Sequence, residues 1–103
     1  MQQYLLRLFV TGKSTRSDRA LAQLRALCER DLAGAYRIEV VDVLEHPQLA
    51  EEERILATPT VVRQLPPPMR RVIGDLADQE KVIFGLDLRP LAGDAGLPGP
   101  ASA

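Results

Sequence analysis

The chain opens on a compact apolar run, Tyr4 to Val10, broken only by Arg7. Its length suits a buried strand. Thr11-Gly12-Lys13-Ser14-Thr15 reads as a loop. Ser17 is placed to cap a following helix, with Asp18 at its positive end. Ala20, Leu21, Leu24, Leu27 and Cys28 then recur at helical spacing and form one apolar stripe. Gly34 can supply the left-handed residue that ends the helix. Tyr36, Ile38 and Val40 alternate with Arg37 and Glu39, and Val41 and Val43 extend the pattern, so a second strand that begins half exposed is expected. Strand, helix and strand with short connections make a βαβ unit with parallel strands and a right-handed crossover.

The second half is less regular. Pro47 suits a first helical position, and Gln48 to Leu56 reads as a short helix with Leu49, Ala50, Ile55 and Leu56 as its apolar positions. Thr58-Pro59-Thr60 breaks it. The β-branched Thr60-Val61-Val62 prefers an extended backbone. Pro66-Pro67-Pro68 forbids regular hydrogen bonding, and X-Pro bonds isomerise over about tens to hundreds of seconds. Arg70 to Asp75 is a second short apolar piece, with turn chemistry at Gly74-Asp75 and Asp78. Glu80 to Leu88 satisfies two periods at once. Val82, Phe84, Leu86 and Leu88 alternate as a strand does, while Val82, Ile83 and Leu86 fit one helical face. Gly85 weakens either element. From Arg89 the chain turns rich in glycine and proline, and residues 89–103 are expected to be a disordered tail to a single domain over residues 1–88.

Composition narrows the classes. With 103 residues, 46% of them hydrophobic, there is material for one core. A net charge of −1 gives no global reason to expect nucleic acid or an anionic membrane as partner. No apolar stretch approaches the ~20 residues of a membrane helix, and the first residues show no cleavable leader. A cytoplasmic, reducing setting is expected.

Candidate chemistry is sparse. Cys28 is the single cysteine, so neither an intrachain disulfide nor a CxxC pair can form. Its place on the apolar stripe favours a buried structural thiol over a nucleophile. His46, the single histidine, has no cysteine near it and reads as a solvated loop residue. Glu51-Glu52-Glu53 splay around a short helix rather than pairing. Gly12-Lys13-Ser14-Thr15 matches the end of a phosphate loop, but position 7 is Arg7 where that pattern requires glycine. No catalytic residue, metal or cofactor is expected. The βαβ start followed by Thr58-Pro59-Thr60 resembles the thioredoxin fold, yet the loop facing that proline, residues 12–17, has no cysteine, so disulfide exchange is excluded there.

Asp42-Val43-Leu44, Pro47-Gln48-Leu49-Ala50-Glu51-Glu52, Ile55-Leu56-Ala57-Thr58-Pro59-Thr60, Leu65-Pro66-Pro67-Pro68, Arg70-Arg71, Ile73-Gly74-Asp75-Leu76 and Gly85-Leu86-Asp87-Leu88 together resemble the KaiB family of circadian-clock proteins. The similarity runs from about Tyr4 to Leu88. It implies a non-catalytic, metamorphic α/β protein whose N-terminal half is a thioredoxin-like βαβ unit. The family's ground state is βαββααβ, forming dimers and tetramers, and family habit points to that order for the isolated protein. The alternative is a monomeric, thioredoxin-like βαβαββα form. The switched form binds the ATPase ring of KaiC, displaces the kinase SasA, recruits CikA, and sequesters KaiA where that exists.

The resemblance assigns switch roles to Tyr4, Gly85 and Asp87, with Pro59, Pro67 and Pro68 at the start of the rearranged half. Gly85→Ala is expected to favour the helical form by removing a penalty of ~1 kcal/mol. For KaiC it points to Arg19 on the first helix and to Arg37 and Glu39 on the second strand. The family often has lysine where Glu39 stands, a tyrosine where Pro90 stands, and a different loop at residues 13–16. A KaiB-like sensor domain of a SasA-type kinase, which does not switch, is the second reading, and a thioredoxin-class redox enzyme the third. Whether Val82 to Leu88 is strand or helix discriminates the two family folds.

Overall fold

The computed structural model describes residues 3–89. Strand β1 (Tyr4–Val10) is followed by helix α1 (Thr15–Leu32), strand β2 (Tyr36–Asp42), helix α2 (Pro47–Glu52), strands β3 (Thr60–Leu65) and β4 (Arg70–Ile73), and helix α3 (Gln79–Leu86). The sheet order is β2-β1-β3-β4. β1 and β2 run parallel, with Tyr4 opposite Tyr36 and Val10 opposite Asp42. The β1–β3 and β3–β4 pairs are antiparallel. Of the expected tail over residues 89–103, all but Arg89 lies outside the described residues, as does the departure at Pro90.

The fold is mixed α/β and thioredoxin-like. Of the two orders the resemblance allows, the structure has βαβαββα and not the ground-state order that family habit favoured. The physical reason lies in the ambiguous segment. Asp78 Oδ1 accepts from Lys81 N at 3.1 Å and caps α3, and Val82 and Leu86 turn inward at one helical spacing. The helix ends in a Schellman motif. Asp87, at φ 52°, donates to Phe84 O, and Leu88 N reaches back to Ile83 O. Leu88 is itself buried, the apolar contact such a motif favours.

α1 begins earlier than its sequence suggests. Ser14 is the cap, accepting from Ser17 N, and Ser17 lies inside the first turn with its hydroxyl on Gly12 O. The αL residues that end α1 are Ala33 and Gly34. α2 is shorter than the expected helix over 48–56; it stops at Glu52, and Arg54 adopts φ 55°. The Thr58-Pro59, Leu65-Pro66 and Pro67-Pro68 bonds are cis.

The alternation along the strands divides the core in two. Tyr4, Leu6, Leu8 and Val10 of β1 face α1 and α3, meeting Leu24, Leu27, Cys28, Val61, Val72, Val82 and Leu86. The other face has a smaller cluster of Phe9, Val41 and Val62, covered by Val43, Leu49 and Ile55. Gly85 faces β4, where an added Cβ would lie 2.4 Å from Val72 Cγ2. The helix thus approaches β4 more closely than any side chain at position 85 permits without movement. That contact is nonlocal, and it qualifies the simple helix-propensity expectation for this position.

Candidate functional site

Two regions carry the residues singled out by sequence. The first lies at the C-terminal end of β1, where thioredoxin-like folds set a loop against a proline. Thr11 and Thr58 share a hydrogen bond of 2.7 Å between hydroxyls, and Arg16 donates to Thr58 O at 3.2 Å. Pro59 is buried and its carbonyl accepts from Gly74 N at 2.8 Å. A small pocket of about 110 Å³ opens between Thr11, Ser14, Arg16, Thr58 and Pro59. Its lining offers hydroxyls and one guanidinium and no thiol. Cys28 is fully buried in α1, away from this loop, and burial first, then the Asp31 and Glu29 carboxylates, push its thiol up to about 12. A thiol held that far from ionisation is a poor nucleophile at neutral pH.

The second region is at the opposite end of the sheet, and sequence reasoning missed its centre. Arg63 of β3 is 4% exposed. Its Nη1 donates to Asp87 O at 3.0 Å and its Nη2 to Pro68 O at 2.8 Å. Its guanidinium carbon lies 6.0 Å from the centre of the Tyr4 ring, at the outer reach of a cation–π contact. Tyr4 Oη, in turn, donates to Arg89 O at 2.8 Å and accepts from Arg89 N at 3.0 Å. The Arg89 guanidinium pairs with the Asp87 carboxylate at 2.6 Å. That hydrogen bond, with the charges of Arg89, Arg70 and Arg63, holds Asp87 below the usual carboxylate range.

Three of the proposed switch positions, Tyr4, Pro68 and Asp87, therefore meet around one buried arginine. Gly85 is two residues away in the last turn of α3, against Val72. Pro59 sits apart, at the far end of β3. Pro67 is exposed in the turn between β3 and β4. Arg63 lies just past the β-branched Thr60-Val61-Val62, and sequence pattern does not single it out. Its parity with buried Val61 was the available signal, since residues two apart in a strand share a face.

Tyr4→Phe tests the outer tie. The hydroxyl serves both backbone groups of Arg89, and water can replace it at that exposed residue, so a loss of about 1 kcal/mol is expected. The Arg89 amide should then exchange about fivefold faster, with α1 amides unchanged. Unaltered exchange at Arg89 would show that the tie contributes nothing.

The proposed partner-binding residues are not brought together. Arg19 is exposed on α1 and borders a hollow of about 440 Å³ with Arg16, Gln23, Pro59 and Asp75. Arg37 and Glu39 alternate with Tyr36 and Ile38, which face α1, so they lie on the opposite face of the sheet. Glu39 is engaged within the chain: Arg7, its register partner on β1, pairs with it at 3.2 Å. Half-exposed pairs of this kind contribute little stability, about 0–1 kcal/mol, but they fix where a charge points. His46 is exposed at the start of α2 without a side-chain capping bond.

A protein-family model described as the KaiB domain matches residues 7–88. The chain belongs to the KaiB family. The circadian clock protein KaiB3 of Synechocystis sp. is 49% identical over 98 residues, spanning 95% of this chain and 96% of that relative. The circadian clock oscillator protein KaiB of Prochlorococcus marinus is 56% identical over 85 residues, spanning 82% and 81%. Membership in KaiB places the chain among circadian-clock proteins. Among solved structures, the N-terminal domain of Synechococcus elongatus SasA superposes with a TM-score of 0.71 at 27% identity, covering 84% of this chain and 86% of that domain. Mitochondrial thioredoxin 3 from Saccharomyces cerevisiae gives 0.65 at 22% identity, covering 84% and 79%; that likeness is one of fold. The KaiB domain described here thus has the thioredoxin-like architecture. Among its described residues no helix is long and apolar enough to cross a membrane.

Proposed function

We propose that this chain is a non-catalytic timing component that binds the ATPase ring of a KaiC-like protein in the thioredoxin-like form and so modulates its phosphorylation state. The observation that carries this reading is the helix over Gln79–Leu86 docked on β4, in a segment whose sequence also fits a strand. A chain whose two packings differ by a few kcal/mol can hold both. The other form is then the βαββααβ homodimer or homotetramer. SasA- or CikA-type histidine kinases, and KaiA where it exists, are the further partners, met in the cytoplasm. Arg19, and the β2 face bearing Arg37 and Glu39, supply the contacts. Because Glu39 is held by Arg7, partner specificity on β2 falls mainly to Arg37.

The test is native mass spectrometry of the chain with a KaiC homologue and ATP. The expected result is a complex that accumulates slowly, because the binding form is selected from a smaller population. No complex after long incubation counts against the proposal.

The likeness to the SasA domain favours a second reading, an interaction domain of a SasA-type system that holds one fold throughout. Amide NMR of the isolated chain separates the two. Two sets of peaks for residues 79–89 fit the switching protein; a single helical set fits the static domain.

A further inference from the structure

Arg63 is an expensive residue where it stands. It buries a full charge among Tyr4, Val61 and the C-terminal end of α3, and both of its Nη partners are backbone carbonyls. Among the described residues no acceptor meets its Nε. A buried charge with a donor unmet costs stability, so a well-packed apolar side chain would serve a purely structural purpose better. What the guanidinium offers instead is a planar fork with donors pointing two ways. One arm ends on Asp87, the αL residue that closes α3. The other ends on Pro68, the last proline of the turn into β4. Neither carbonyl is a neighbour of Arg63 through regular strand pairing. Both occupy their positions only when residues 79–88 have formed the helix and its Schellman end and the β3–β4 turn has set β4 beside it.

We propose that Arg63 is the positioning residue that commits residues 79–88 to the helical arrangement, closing on the Asp87 and Pro68 carbonyls together. The Asp87 carbonyl marks a finished helix, and the Pro68 carbonyl marks a finished turn. With one of them missing, the arginine is buried with most of its donors unmet, so partly rearranged states are penalised and the two folds stay distinct. The tie between Tyr4 and Arg89 acts downstream of this grip, on chain that Arg63 has already placed. The inference rests on the reading that the chain has a second fold, and it assigns the bias between the two to a residue that the family resemblance does not mark.

The experiment uses the full chain with Arg63→Met, Arg63→Lys and, as control, Arg71→Met. Arg71 is exposed, and its bond to Arg54 O at 3.3 Å lies on the other face of the sheet. Amide exchange and helical chemical shifts of residues 79–89 are measured, followed by the rate of complex formation with a KaiC homologue and ATP. Arg63→Met is expected to lower protection across 79–89 tenfold or more while β1, α1 and β2 keep theirs. Arg63→Lys, which can reach one carbonyl, should fall between it and the parent. Arg71→Met should match the parent, and the rate of complex formation should fall in step with the helical population. Parent-like protection over 79–89 in Arg63→Met overturns the proposal. So does loss of protection shared equally by β1, α1 and β2, which would make Arg63 an ordinary stability residue. If the parent forms no complex while Arg63→Met still loosens 79–89 selectively, the positioning role stands and the binding partner proposed above is wrong.

Discussion

Gly85→Ala is expected to strengthen the helical form only when Val72 is cut back in the same protein. Alanine within a helix gains about 1 kcal/mol over glycine, and from sequence alone that gain would be the whole effect. The new methyl, however, would lie 2.4 Å from Val72 Cγ2. Val72 is 6% exposed and faces Val61 in the central pairing of β3 with β4. Its β-branched side chain has few rotamers to retreat into. Overpacking of this kind costs typically about 1–3 kcal/mol, enough to cancel or reverse the helix gain. Val72→Ala removes the obstructing methyls at a cost of its own. The double variant should then be more stable than the sum of the single changes predicts, by about 1–3 kcal/mol. Urea titration of the four proteins, with helical shifts of residues 79–86 to identify the state that melts, measures this coupling. Additivity within about 0.5 kcal/mol would mean that α3 and β4 do not meet as described.

The largest single loss is expected from Phe9→Ala, about 3–5 kcal/mol. Phe9 is fully buried on the face of the sheet away from α1, with Val41 and Val62 as its buried neighbours. That cluster is small, so little around it can collapse into the space left behind. α2 has six residues and none of them is fully buried. A helix of that length does not persist by itself. It is held through Leu49, and the following loop through Ile55, both packed on the Phe9 cluster. The consequence is local as well as global. Amides of residues 47–57 should lose protection first, while α1, anchored on the larger cluster, keeps its own until the chain unfolds. A change below about 1.5 kcal/mol in urea, or equal loosening of α1 and α2, would contradict this account.

The N-terminal half was legible because its signals are local. A seven-residue apolar run is a strand in either packing environment, and β1 has the limits its sequence shows. The stripe from Ala20 to Cys28 is the buried face of α1. The start of α1 was read three residues late because Ser14 and Ser17 are both serines in capping context, and only the backbone distinguishes the cap from the first turn. In the second half the deciding contacts are between segments far apart in sequence. Residues 79–88 fit two periods, and in the helical arrangement Gly85 lies against Val72, Arg63 bonds Asp87 O and Tyr4 bonds Arg89. None of these can be read from a window of neighbouring residues. The candidate site was legible in its members but not in its layout. Tyr4, Pro68 and Asp87 converge as one cluster, its centre at Arg63 invisible to pattern. Arg19 and Arg37, grouped by resemblance, fall on opposite faces of the sheet. Glu39 carried a charge that stood out against the family, and its partner Arg7 became apparent only with the parallel register of β1 and β2.

The double hydrogen bond from Tyr4 to Arg89 also sets the geometry of attachment. The side chain of Tyr4, the first residue of β1, reaches the backbone of Arg89, just past the last described helix, at 2.8 Å, so the two ends of the described fold lie one tyrosine side chain apart. Such a unit can be grafted into a loop of a host protein, or have its ends rejoined and be reopened elsewhere, with little linker to span the gap. Mechanically, pulling on both ends would load the Tyr4–Arg89 tie together with the pairing of β1, an inner strand, to β2 and β3.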